Sequence, residues 1–209
     1  MGTMMNPLLE HFLNLRCAGD VLNAVSPINN PSKEITESMA LWKWLRPHAL
    51  EQPDYWSVLD LCAGNALTSI LAVHSLPIRE AFAIDKTPRE RPGHKFVRRF
   101  HYLEGNIHNG FAPPDTRPWL VIASHPCGTL AERVLTIGRD MNAPTAALTC
   151  CRSSGKLPIL ARNIISLFPG QRDRYAAWSL ALANQFDAKI RFVRSVLSPC
   201  NILISREAA

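Results

Sequence analysis

Two groups of residues in this sequence have the types and spacing to do chemistry. The first is the run Val58-Leu59-Asp60-Leu61-Cys62-Ala63-Gly64-Asn65-Ala66-Leu67-Thr68-Ser69, with an acid, Asp85, closing the next apolar stretch. An apolar strand that stops at small residues and re-enters a helix lets the backbone pass close to a ligand, and the helix start presents unpaired N–H groups to it. An acid at the end of the neighbouring strand can then take both hydroxyls of a ribose, so the pair describes a nucleotide-type pocket. The second group is Ser124-His125-Pro126-Cys127-Gly128, followed by Cys150-Cys151-Arg152 and Lys156. An imidazole there could accept a proton from a hydroxyl or amine nucleophile. Arg152 and Lys156 could hold a substrate phosphate, or be solvated surface charge.

Packing competes with chemistry at several of these positions. Cysteine is among the most buried residue types, so Cys62, Cys150 and Cys200 suit the core at least as well as they suit a reaction. A zinc site from His125, Cys127, Cys150 and Cys151 would have a fitting N/S ligand set, but no pair has the CxxC spacing and adjacent cysteines seldom share one ion. No metal is expected.

The elements that must position these residues alternate along the chain. Residues 4–24 carry apolar side chains at helical spacing, and Asn29-Asn30-Pro31-Ser32 opens a second helix over about 33–46, with Pro47 and Gln52-Pro53-Asp54 marking the loop that follows. From there the pattern reads strand 57–62, helix 65–75, strand 80–85, a basic segment 86–99, strand 100–104, strand 118–124, helix 128–140, strand 144–150 and helices 156–167 and 171–186. That is the βαβ rhythm of a doubly wound parallel sheet. The last two strands, 189–196 and 201–205, are split only by Ser198-Pro199-Cys200 and can pair only antiparallel. Ligands in such sheets bind beyond the carboxyl ends of the strands, where Cys62–Ala66, Asp85, Asn106, His125 and Cys150 all fall.

The first loop and its acid resemble motif I and the ribose-binding acid of class I S-adenosylmethionine (SAM) dependent methyltransferases. Asp60, Ala63, Gly64 and Ala66 fall where that pattern wants them, although the loop holds one glycine where many members have two or three. Alanine substitutes for glycine wherever φ stays negative. The HxCG segment at His125, Cys127 and Gly128, with the pair Cys150-Cys151 after the next strand, resembles a methyltransferase group that includes the eukaryotic tRNA acceptor-stem ribose 2′-O-methyltransferases. That likeness covers about residues 57–155.

The resemblance implies an α/β fold with a seven-stranded Rossmann-like methyltransferase sheet, mostly parallel, closed by an antiparallel hairpin and covered by helices on both faces. Residues 1–50 would form a helical extension and residues 51–209 the methyltransferase domain. SAM would be held by Asp60, Cys62, Ala63, Gly64, Asn65, Ala66, Asp85, Lys86, Asn106, Ile107, Ser124 and His125, with Asn106 facing the adenine amino group and Ile107 packing on the ring. His125 and Cys127 would be catalytic, and Cys150, Cys151, Arg152 and Lys156 would contact the substrate.

Composition bounds these expectations. The chain has 209 residues, 47% of them hydrophobic and 19% charged, which suits a folded globular domain rather than a disordered one. No apolar run approaches the roughly 20 residues of a membrane helix, and the amino terminus lacks the pattern of a secretory leader, so a soluble cytoplasmic protein with free thiols is expected. A net charge of +6 favours an anionic partner, and Lys86 to Phe100 gathers basic residues with aromatics as a nucleic-acid contact would. The reading is a SAM-dependent methyltransferase acting on RNA, tRNA included. The alternatives are a small-molecule methyltransferase, a non-catalytic binding module on the same sheet, and an NAD(P)-linked oxidoreductase, which would continue the sheet with a sixth parallel strand.

Overall fold

The central strands are buried on both faces, which is why they read as continuous apolar runs instead of alternating ones. A computed structural model describes residues 5–109, 112–113, 115–149, 159–199 and 201–209. Its strands are β1 (Ser57–Leu61), β2 (Ala81–Asp85), β3 (Phe100–Glu104), β4 (Trp119–Ser124), β5 (Thr145–Leu148), β6 (Lys189–Phe192) and β7 (Ile202–Arg206). They form one sheet in the order β3-β2-β1-β4-β5-β7-β6. The pairs β1–β2, β1–β4, β2–β3 and β4–β5 are parallel, and β7 runs antiparallel to both β5 and β6. This is the Rossmann-like methyltransferase sheet with its closing hairpin, and no sixth parallel strand follows β5 among the described residues.

Seven α-helices cover the sheet among the described residues. On one face lie α1 (Pro7–Leu13), α2 (Ala18–Val25), α3 (Pro31–Glu51) and α4 (Leu67–Ser75), packed on Val58, Leu120, Ile122, Ala146 and Leu148. On the other lie α5 (Leu130–Asp140), α6 (Ile159–Ser166) and α7 (Gln171–Gln185), covering Leu59, Leu61, Val121, Ala147, Ile202 and Ile204. Leu59, Leu61, Leu120 and Ile122 are fully buried, each contributing about 2 kcal/mol of apolar transfer free energy. The α5–β5 contact is close: a Cβ on Gly138 would stand 1.8 Å from the Thr145 hydroxyl, so only glycine fits there.

The amino-terminal part departs from expectation. Three helices precede the sheet, not two. Asn6 caps α1 by accepting from the Leu8 and Leu9 amides, and the chain turns at Asn14 before α2 begins. Apolar spacing carries across the turn because both helices present the same face to the core, so periodicity alone could not find the break. Helix α3 also runs through Pro47 to Glu51 instead of ending near residue 46. Proline removes one backbone hydrogen bond from a helix interior. Here Leu45 and Ala49, on either side of Pro47, are fully buried, and that packing carries the helix through. The basic segment after β2 contains a single 3-10 turn, His94–Phe96. No helix among the described residues is long and apolar enough to cross a membrane.

Candidate functional site

The loop after β1 is built from left-handed residues. Cys62 has φ 60°, Gly64 φ 55° and Ala66 φ 57°. The expectation that alanine stands at Ala66 because φ remains negative is corrected: it adopts the conformation glycine favours, at a cost of roughly 1–2 kcal/mol that the surrounding core must offset. A Cβ on Gly64 would meet nothing within 4 Å, so backbone conformation, not crowding, calls for glycine there. The Asp85 carboxylate ties this loop to β2. Its Oδ2 accepts from the Gly64 amide at 3.0 Å and its Oδ1 from the Thr87 amide at 3.0 Å. Tyr102, on β3, donates from Oη to the Gly64 carbonyl at 2.5 Å and accepts from the Arg89 amide at 3.0 Å.

Two cavities open along the carboxyl ends of the strands and share Cys62, Asp85, Cys127 and Leu130. One, about 380 Å³, is walled by Lys86, Asn106, Ile107 and Gly128. The other, about 390 Å³, is walled by Ala63, Gly64, Asn65, Ser124 and His125 on the sheet side. Asp60 and Ala66 line neither cavity. Asp60 is buried behind the loop and accepts from the Ser69 hydroxyl at 2.8 Å, while Ala66 is fully buried. The Asn65 side chain lies between Glu34 Oε2, to which it donates at 2.7 Å, and the Arg91 guanidinium, from which it accepts at 3.0 Å. Cys150, Cys151, Arg152 and Lys156 lie outside the described residues, which include no group of three or more His, Cys, Asp or Glu arranged to hold a metal ion.

Burial sets the charge states behind the loop. It pushes the Asp60 carboxyl up from 3.8 to about 7, against the lowering hydrogen bond from Ser69 and with a further push from Asp85. Burial, with Asp85, Asp60 and Cys127 nearby, pushes the Cys62 thiol up to about 12, so it stays protonated. In the unfolded chain Asp60 titrates near 3.8, so folding takes up a proton between about pH 4 and 7. The stability Asp60 contributes is therefore complete below about pH 4 and is lost as pH rises through about 7, with a slope of up to about 1.4 kcal/mol per pH unit. Asp60→Asn should remove that component of the slope in urea denaturation at a series of pH values. An unchanged slope would mean that Asp60 is ionised throughout.

The wall facing the sheet comes from α3, which sequence reasoning did not include in the site. Lys33, Glu34, Glu37 and Ser38 line the second cavity. Glu37 is only 3% exposed, and its Oε1 lies 2.9 Å from Lys33 Nζ and 2.6 Å from His125 Nε2. The histidine approach is close but misses hydrogen-bond geometry. His125 itself is left-handed, φ 56°, and its amide donates to the Leu148 carbonyl at 2.9 Å. A sequence signal for Glu37 existed: Lys33, Glu34, Glu37 and Ser38 form an i, i+1, i+4, i+5 stripe in a helix whose neighbours Ile35, Thr36 and Met39 are buried.

The basic segment divides. Arg99, although exposed, is tied down by donating to the Ile78 and Val73 carbonyls, and half-buried Arg91 reaches Asn65; Lys86, Arg89, Lys95 and Arg98 are also exposed.

No family profile and no curated protein sequence matches this chain. Among solved structures it is similar to phosphoethanolamine N-methyltransferase 2 of Haemonchus contortus, in complex with phosphomonomethylethanolamine and S-adenosylhomocysteine. The TM-score is 0.53 at 11% identity, over 90% of this chain and 47% of that one. It is also similar to the SAM-dependent methyltransferase SibL in its apo form (TM-score 0.45, 14% identity, 100% of this chain and 64% of that one). A third is a SAM-dependent methyltransferase from Aquifex aeolicus (TM-score 0.47, 10% identity, 97% and 98%). The chain thus spans less than two thirds of the length of the first two. At such identities the likeness is one of fold, and the Haemonchus superposition carries it.

Proposed function

We propose that this chain is a SAM-dependent methyltransferase whose acceptor is RNA. The observation that carries the reading is the direct tie between Asp85 and the Gly64 amide, which sets a ribose-competent carboxylate against the left-handed loop where two cavities meet. The residues present fit an adenosine-bearing cofactor. Each Asp85 oxygen keeps a further lone pair for a ribose hydroxyl, Ile107 gives the first cavity an apolar wall, and Asn106 stands beside it to meet the adenine edge. SAM, when bound, supplies an activated sulfonium methyl; the rest of the chemistry is alignment, which can account for much of the rate without covalent catalysis.

His125 and Cys127 are assigned to the acceptor side, where the second cavity lies, with His125 positioned to take the proton that a hydroxyl or amine nucleophile gives up. Residues 1–50 are a helical extension that contributes a wall to this side through α3. RNA is favoured by the exposed basic residues that start at the cleft mouth with Lys86 and Arg89, and by the HxCG resemblance at His125, Cys127 and Gly128. One observation favours a non-catalytic binding module instead: both Asp85 oxygens already accept backbone amides.

Isothermal calorimetry with SAM, followed by incubation with tritiated SAM and total RNA with and without nuclease, separates these readings. Heat of binding and nuclease-sensitive label are expected. Absence of binding by intact protein overturns the enzyme, and label that survives nuclease overturns the RNA acceptor.

A further inference from the structure

Outside the cleft, one aromatic ring is held in water by a rigid support. Phe96 is 77% exposed, yet its neighbours His94 and Val97 are buried and the 3-10 turn between them is closed by the Phe96 and Val97 amides donating to Gly93 and His94. Gly93 presses on α2 so closely that a Cβ there would stand 2.6 Å from the Ala24 backbone. The backbone that carries the ring is therefore anchored, and the ring forms part of the wall of a surface cavity of about 420 Å³ with Asp20, Asn23 and His74. The Lys95 ammonium sits 5.1 Å from the ring centroid, and Lys86, Arg89 and Arg98 are exposed along the same segment. Against these cations stand Glu90 on the segment and Asp20 at the cavity, so the local balance is positive.

We propose that this face is a second binding site, for an unpaired base of single-stranded nucleic acid, with the base stacked on Phe96 and the flanking phosphates met by Lys95 and Arg98. An exposed ring on an anchored turn beside cations is the arrangement by which single strands are held without base-pair readout, because every base offers a π face and every linkage a charge. The Asn23 amide gives the cavity a group able to bond a base edge. Lys86 and Arg89, near the start of the same segment, line the two cleft cavities. The inference deepens the RNA reading and rests on it for its link to the cleft, but not on methyl transfer.

The test is fluorescence anisotropy of a short fluorescein-labelled oligouridylate with the full chain, paired with SAM calorimetry on the same samples. Binding that weakens with salt is expected. Phe96→Ala should raise the Kd roughly ten-fold, Phe96→Trp should keep it near wild type, and Lys95→Gln and Arg98→Gln should each lower the salt slope by a little under 1. Because Phe96 is exposed, its loss should leave folding and SAM binding unchanged. The site is overturned if wild-type protein does not bind the oligomer at low salt, if Phe96→Ala binds like wild type, or if Phe96→Ala changes only self-association in sedimentation. SAM calorimetry without heat, beside intact oligomer binding, would sink the methyltransferase reading and spare this one.

Discussion

Asp85→Ala should raise the Kd for SAM about a hundred-fold in calorimetry, a loss of about 3 kcal/mol, with the fold intact. Two effects add. The variant loses the charged acceptor for a ribose diol, and it frees the Gly64 amide that Oδ2 holds at 3.0 Å, so the left-handed loop loses its tie to β2. Asp85→Asn separates them: its amide oxygen can still accept from Gly64 but brings no charge, so it should fall between alanine and wild type. Unchanged affinity in the alanine variant would show that the nucleoside lies elsewhere, and the proposed function would fall with it.

The second large effect is expected at Glu37. This buried carboxylate lies against both Lys33 and His125, and deleting it takes that contact from each of them. Lys33 can turn to water but His125 cannot do so freely, since its backbone is held left-handed at the end of β4. Glu37→Ala should cost about 2 kcal/mol in urea denaturation, the scale of a lost polar contact with partly exposed partners. It should also slow transfer to the acceptor found by radiolabelling roughly a hundred-fold, because a shift of about 1 Å in a positioned group is enough to do so. On the proposed assignment of its cavity to the acceptor, its SAM affinity should stay near wild type. Equal losses in SAM binding and transfer would place Glu37 in the cofactor site and undo its assignment as the residue that positions His125.

Much of the architecture was legible because its signals are local. A strand covered on both faces reads as a nearly continuous apolar run, and β1, β2, β4 and β5 announced themselves as such runs between turn residues. Asp85 stood out as the acid ending such a run. The hairpin followed from loop length, because a connection as short as the one between β6 and β7 leaves no room for a parallel crossover. The amino-terminal helices were less legible: a helix break at Asn14 that leaves the apolar face aligned is invisible to periodicity, and Pro47 signals a helix end that burial of its neighbours overrules.

By itself, then, the sequence determined the fold class, the strand ends where the cavities open, and the candidate pair of loop and acid. Each of these depends on residues close together in the chain. Tertiary structure alone decided which side chains face the cleft. It withdrew Asp60 and Ala66 behind the loop and tied Arg99 to the Ile78 and Val73 carbonyls. It also brought Glu37 of α3 against His125, just after β4, and raised Phe96 on a turn clamped to α2. Those outcomes depend on the packing of elements far apart in sequence, where the balance of burial against charge solvation is settled only once the layers close, and no local pattern of residue types encodes it.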